Sequence, residues 1–446
     1  MKTPGSIPAW RYSAAALSLL IPLNAFTNGI YRNGVGAQAM SMGGTETGWA
    51  KSPLGAMAAN PAGLAFLDGG EFDLSAVGAN PEGTYHKAPY ADGSLDSSFR
   101  VFPESAIAYH LPNLPVTLGL SFIPVSAMVG DWTYYDAPGG LGGNVSYGTT
   151  SHRSEIDLFR TAFGAGVKFN SQWSAGVSVG LLYNRNQLRT PYIFQNLSPN
   201  PNSLNGAKTA LDLRTDGYGC DVQAGVMYRP TTNLQFGISY TCQSTVKTTG
   251  DANGDPYAQF SISPGPLAFH YDAEVDNTFP QMVSLGSSWQ FHPQWRLALQ
   301  VDWINWSSAF KNLPVKLRNG DNAGVNGALG ANFNDSIPMD WRDEFDYRVG
   351  LEYAVNENLT LRAGYCYGTG PTPNTTLSPM TACTMEHTLT AGVGYVWKNF
   401  GVDLAYQYDL PITRNVGNSQ LLSGEYSNSS TTVEIHWVAL TTSYRF

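Results

Sequence analysis

The sequence predicts an all-β fold: a transmembrane antiparallel β-barrel of about 14 strands with an N-terminal hatch inside the lumen. Three observations carry this. Apolar and polar residues alternate in runs from about residue 70 to the C-terminus, aromatic residues frame the apolar faces, and short and long connections take turns along the chain. Composition agrees. Charged residues make up 13%, about half the usual share of a soluble domain, while aromatics reach 12%, with 24 Tyr, and Gly numbers 47. Past the N-terminus, no apolar run approaches the roughly 20 residues that a spanning helix needs. A net charge of −9 without a basic stripe argues against nucleic acid as a partner.

Residues 1–25 have the pattern of an export signal. Lys2 and Arg11 supply the positive region, residues 13–23 (SAAALSLLIPL) the apolar core, and cleavage is expected near Ala25 or a few residues later. As a membrane anchor the segment is too short, and Pro22 interrupts it. The remaining chain divides into an N-terminal hatch or plug over 26–70 and a barrel over 71–446.

The strands are clearest in the middle of the chain. Tyr218, Cys220, Val222, Ala224, Val226 and Tyr228 share one face, and Gly219, Asp221, Gln223, Gly225 and Met227 the other. The apolar face begins and ends in Tyr, as strands framed by two interfacial girdles do. Leu234 to Tyr240, Trp295 to Trp303, Tyr347 to Tyr353 and Val402 to Tyr408 repeat the design. Short turns fall at Leu111–Pro115, Asn170–Trp173, Pro230–Asn233, His292–Gln294, Val355–Asn358 and Lys398–Phe400. Long connections fall around residues 88–97, 131–150, 191–208, 249–266, 311–340, 370–383 and 413–430. Six short and seven long connections join 14 strands, and backbone in hydrocarbon must pair completely, so the sheet closes. The chain ends with Val438, Leu440, Thr442, Tyr444 and Phe446 on one face. Such an aromatic terminus is similar to the signal by which the outer-membrane barrel-assembly machinery recognises its clients, making that machinery an expected partner during biogenesis.

Residues 26–70 do not alternate and are rich in small residues, including Gly34, Gly36, Gly43, Gly44, Ala56, Ala58, Ala62 and Gly63. A nucleotide-binding loop has loosely similar glycine spacing, but no strand–helix–strand unit surrounds this one. Small side chains suit a plug folded within a lumen already lined by strand side chains.

The segment Asn60-Pro61-Ala62-Gly63-Leu64, behind the Gly-rich run from Gly36 to Gly44, resembles the hatch motif of the FadL-type (OmpP1/FadL/TodX) outer-membrane transporters. Thr278-Phe279-Pro280, Asp302-Trp303, Trp306-Ser307, Tyr347-Arg348-Val349-Gly350, Leu361 to Tyr365, Glu386-His387 and Ala405 to Tyr408 extend the resemblance over nearly the whole mature chain. The resemblance implies passive uptake of long-chain fatty acids or aromatic hydrocarbons across the bacterial outer membrane. It implies ligand capture on loops 191–208 and 249–266, the first including Tyr192, Ile193, Phe194 and Leu197 and the second bordered by Phe260, Leu267 and Phe269, all apolar side chains. The alternative is that these side chains pack on one another and cap the barrel. It also implies a pocket beside the hatch and sideways departure at a kink in the third strand. Pro124, which cannot donate to the ladder, with Val125 and Ser126 marks that gap, unless the strand simply ends there. Lipid and lipopolysaccharide are the surrounding partners.

Inward charges such as Lys168, Asp221, Arg296, Asp302, Arg348, Glu352, Arg362 and Asp403 are expected to pair across the lumen; Arg296 and Arg348 are candidates to meet a ligand carboxylate. Counting from a turn centred near residue 231, Cys220 and Cys242 face each other across a hairpin, as a disulfide or a thiol pair. Cys366 and Cys383 flank the sixth long loop and could staple its base, with simple packing the alternative for both pairs. No spacing suggests a metal or cofactor site, and the seven His form no hydrolase pattern, so no enzyme activity is expected. Two further readings compete with transport: a structural or secretion-associated scaffold barrel, and a general polar porin, which the hatch weighs against.

Overall fold

The computed structural model describes residues 30–198, 204–381 and 385–446, so the signal segment and Cys383 lie outside the described residues. Strand β1 (Gly70–His86) starts the barrel, and β2 follows in two pieces, Gly93–Leu95 and Arg100–His110. Next come β3 (Val116–Asp136), β4 (Gly148–Lys168), β5 (Trp173–Ile193) and β6 (Lys208–Thr231). Four interrupted strands follow: β7 (Leu234–Thr241, Ser244–Asp255), β8 (Phe269–Phe279, Met282–His292), β9 (Trp295–Ile304, Asn312–Arg318) and β10 (Phe333–Pro338, Glu344–Ala354). The barrel finishes with β11 (Leu359–Gly368), β12 (His387–Trp397), β13 (Phe400–Val416) and β14 (Ser429–Arg445). Each strand pairs antiparallel with the next, and β14 returns to β1 from Glu71↔Arg445 to His86↔Ser430, so the described chain forms a closed 14-stranded barrel. At the closure Phe446 and Gly70 exchange backbone hydrogen bonds of 2.9 and 3.1 Å.

Apolar side chains point outward as the alternation predicts, and aromatics frame them. Phe122, Phe159, Tyr183 and Tyr218 form one row, with ring centroids 5.1–6.2 Å apart along β3–β6. Trp173–Tyr228, Trp295–Tyr353 and Phe400–Tyr444 mark the other end at 4.3, 4.5 and 4.7 Å.

Toward the long connections the strands run on past the expected loop starts, so much of 131–150, 249–266 and 311–340 is paired sheet rather than loop. The reason is a reversal of polarity. On β6, Asp212, Arg214 and Asp216 face out while Leu211 and Leu213 are buried inside. Above the girdle the exterior is water and headgroups, so the sheet hides its apolar face within, as a soluble sheet does. The inward residues, Tyr192, Leu213, Tyr271, Val275, Leu317 and Phe333 among them, form one apolar cluster that fills this end.

The same geometry corrects two expectations. Strand β3 does not end at Pro124; it continues to Asp136 through a register shift that leaves Val125 between Pro124↔Phe159 and Ser126↔Leu158. Cys220 and Cys242 are not a bridged pair. A shift between Tyr228 and Thr231 sets Cys242 opposite Val222, and the break in β7 turns Cys242 toward the interior while Cys220 stays exposed; both thiols are free. Cys366 is buried.

Candidate functional site

The N-terminal segment folds in short pieces against the inner wall: helix α1 (Gly36–Ser41), helix α2 (Pro53–Ala59) and a 3-10 turn, Pro61–Phe66. Ser52 caps α2 by accepting from Gly55 N at 3.2 Å, with Pro53 where a missing N–H costs nothing. Asn60 ends α2 in extended backbone, and its Oδ1 accepts from Ala62 N at 3.1 Å, starting the next turn. Its Nδ2 donates to Thr47 O at 2.9 Å. Pro61, Ala62, Gly63 and Leu64 are all buried.

Strand side chains receive the segment's free N–H groups. Glu104 accepts from Gly36, Thr441 from Ala37, Thr390 from Gly43, Asp73 from Leu54, and Gln300 from both Glu46 and Thr47, all at 2.8–3.0 Å. These partners come from β1, β2, β9, β12 and β14. Inward glycines provide the clearance. A Cβ on Gly176 would strike the Pro61 carbonyl, one on Gly166 would strike Leu64 Cβ, and ones on Gly286 and Gly364 would strike the backbone of Gly48 and Gly43. Sequence reasoning missed this arrangement, although glycine on the polar face of successive strands is a readable mark of close backbone approach.

The lumenal charges are paired. Arg348 contacts Asp302 at 2.7 Å and Asp346 at 2.8 Å, and donates to Asn33 Oδ1 at 2.6 Å. Arg160 meets Asp221 at 2.9 Å, Arg362 meets Asp403 at 2.5 Å and Glu352 at 3.0 Å, and Arg32 meets Glu104 at 2.6 Å. Arg296 lies 3.6 Å from Glu352 and donates to Ser288 and Gln290. Arg296 and Arg348 are therefore engaged by the barrel's own groups. Burial and the charges of Asp73 and Glu104 raise the Glu46 carboxyl well above its ordinary range, with Arg348 opposing them.

Three cavities share walls; the first two are lined mainly by apolar side chains, and the third mixes apolar residues with charged ones such as Arg160, Asp221, Asp302 and Arg348. The first, within the long-loop cluster, is bounded by Leu188, Tyr192, Leu213, Val275, Ile337 and Met380. Met380 also borders the second, with Leu95, Phe102, Val129, Trp132, Trp437 and Arg100. Tyr31 and Arg32 separate the second from the third, which lies against Met57–Ala59 and includes Ile123, Val125, Leu158, Leu182, Phe279 and Ile304.

Beside the second and third cavities the wall is interrupted. Pairing of β2 with β3 stops at Ser105↔Phe122 and resumes at Leu95↔Trp132, with Asp96 N donating to Asp131 O at 2.7 Å. Residues 123–130 of β3 lie between these points, still paired to β4. Pro124, Val125 and Ser126 thus occupy the stretch facing the unpaired part of β2. Pro124 has no N–H to leave orphaned, its carbonyl accepts from Arg32 Nη1 at 3.2 Å, and Tyr31 bridges Ser126 from inside.

The predicted capture residues sit differently. Tyr192, Ile193, Phe194, Leu197 and Phe269 are buried in the long-loop cluster and Leu267 packs on it; Phe260 is exposed. They cap the barrel by packing on one another instead of presenting a bare patch, because the reversed alternation turns them inward. Among the described residues, one group has metal-ligand geometry: Asp251, His270 and Asp272, on the exposed exterior, with His270 Nε2 3.6 and 3.7 Å from the two carboxylates.

A closed barrel with apolar outward bands, an internal N-terminal segment and internal apolar cavities defines an outer-membrane protein of the transport class. The family model described as "Outer membrane protein transport protein (OMPP1/FadL/TodX)" matches residues 19–446, and the chain belongs to that family. It is 20% identical over 423 residues to the long-chain fatty acid transport protein of Escherichia coli O6:H1, covering 89% of this chain and 90% of the relative. The toluene transporter TodX of P. putida shares the fold at a TM-score of 0.74 and 20% identity, over 93% of this chain and 99% of that one. The toluene transporter TbuX of Ralstonia pickettii does so at 0.73 and 20%, over 93% and 99%.

Proposed function

We propose that this protein is a passive channel through which hydrophobic molecules, long-chain fatty acids or aromatic hydrocarbons, cross the outer membrane. A ligand enters through the apolar interior of the long-loop end and moves into the cavities beside the N-terminal hatch. It leaves sideways between β2 and β3 at Pro124–Ser126. The observation that carries this reading is the run of cavities with shared walls, which reaches the unpaired stretch of the barrel wall. The transfer of apolar surface out of water into the cavities, and from them into lipid, supplies the driving force, so no energy source is required. The chain acts as a transporter and not as an enzyme. The scaffold alternative calls for a lumen packed solid, and the cavities speak against it.

In this reading the charged exterior of β3–β6, where Arg153 pairs with Asp131 at 2.9 Å and Arg214 with Asp212 at 2.8 Å, meets lipopolysaccharide above the girdle. The assembly machinery recognises the Phe446 end during insertion. The test is uptake of oleate and of toluene by a deletion strain, with and without the gene restored. Restoration is expected to raise uptake of at least one ligand; no dependence for either contradicts the channel.

A further inference from the structure

The cations bordering the three cavities are Arg32, Arg100, Arg160 and Arg348. Three of them are neutralised by the barrel: Arg32 by Glu104, Arg160 by Asp221, and Arg348 by Asp302 and Asp346. Arg100 differs. It points inward from β2, across from Ala79 of β1, at the edge of the segment that β3 leaves unpaired. Only half-buried, it forms no ion pair or side-chain hydrogen bond with any described residue. The one carboxylate bordering the same cavity, Asp409, already accepts from Thr388 at 2.6 Å, Trp437 at 2.6 Å and Gln407 at 3.0 Å. An unpaired guanidinium beside Phe102, Trp132 and Trp437 is costly to keep within a membrane barrel, and its five-donor fork matches a carboxylate.

We propose that Arg100 is a specificity residue, anchoring the anionic head of an amphipathic ligand, a carboxylate, whose apolar body lies in the cavity beside the β2–β3 opening. This rests on the transport reading and narrows it: a carboxylate-bearing cargo gains a contact that a neutral cargo of the same shape does not. A charge-assisted, bidentate contact in a partly dehydrated site makes the expected difference about tenfold in affinity.

The test is equilibrium binding of oleate and of oleyl alcohol, equal in chain length, to the purified full-length protein in lipid nanodiscs. Wild type is compared with Arg100→Gln and Arg100→Lys, each checked for barrel folding by its heat-dependent gel mobility. Arg100→Gln is expected to weaken oleate about tenfold and leave oleyl alcohol within about twofold, with Arg100→Lys recovering part of the loss. Equal weakening of both ligands, or no weakening of oleate, overturns the anchor. Wild type that binds the alcohol but not oleate, or that binds neither, overturns the anchor; the transport reading is tested separately by the dependence of oleate and toluene uptake on the gene.

Discussion

Asn60 uses both halves of its side-chain amide: Oδ1 caps the turn beginning at Pro61, and Nδ2 holds the Thr47 carbonyl. Asn60→Ala loses the cap and leaves a buried carbonyl unpaired. About 2 kcal/mol of stability should be lost, seen as a lower melting temperature in detergent. Glu46 tests the electrostatics of the same segment. Its carboxyl is raised by burial above the ordinary glutamate value of 4.5, so the folded state holds a proton that the unfolded chain releases. Its contribution is fully present below about pH 4.5 and fades as pH rises through the folded-state value. Melting temperatures from pH 5 to 9 should therefore fall more steeply for wild type than for Glu46→Gln; parallel profiles would refute this. The Asn60–Leu64 motif was legible because short motifs are local. The engagement of Arg296 and Arg348 was not, because Glu352, Asp302 and Asp346 reach them only through cross-strand register.

At the scale of elements, period-two alternation identified Tyr218–Tyr228 and the strands after it, and short turns such as Lys398–Phe400 fell where turn residues cluster. What alternation could not show is the height at which polarity reverses. Asp212–Asp216 alternate with the same period as Val222–Val226, with the faces exchanged. Breaks at Cys242–Gln243 and Pro280–Gln281 also swap faces; the first of them, with the register shift between Tyr228 and Thr231, is why an equidistant count from one turn misplaced Cys242. The reversed region is locked by Lys208, fully buried, which meets Asp136 at 2.5 Å, Glu425 at 3.2 Å and Ala137 O at 2.8 Å. Removing one partner of a buried ion pair costs about 3–5 kcal/mol. Lys208→Met should therefore open the β13–β14 connection, and protease added to intact cells should cut within residues 417–428 faster than in wild type. Adding Asp136→Asn should reverse part of that sensitivity. An unchanged cleavage rate would show that the cap is held by its apolar cluster alone.

For the whole molecule, many of the barrel's inward polar side chains meet the N-terminal segment, while the long-loop end is filled largely by an apolar cluster around the buried Lys208 ion pairs. Beside the cavities, β2 and β3 part over residues 123–130 of β3. Closure of 14 strands followed from counting connections, and Pro124 marked the stretch where β2 and β3 part; the cavities were not legible, because their walls join residues as distant as Tyr31, Phe102, Val129 and Trp437. The central claim is that cargo passes through these cavities and the β2–β3 opening. Gly130 faces inward at that opening, where a Cβ would lie 3.1 Å from Trp132 Nε1 and 3.7 Å from Met380 Cα, so a phenylalanine there crowds the space between the cavities. The most direct measurement is the initial uptake rate of labelled oleate or toluene by the complemented deletion strain, wild type against Gly130→Phe, at matched levels of folded protein. The account predicts that the variant's uptake falls toward that of the deletion strain; uptake equal to wild type would contradict it.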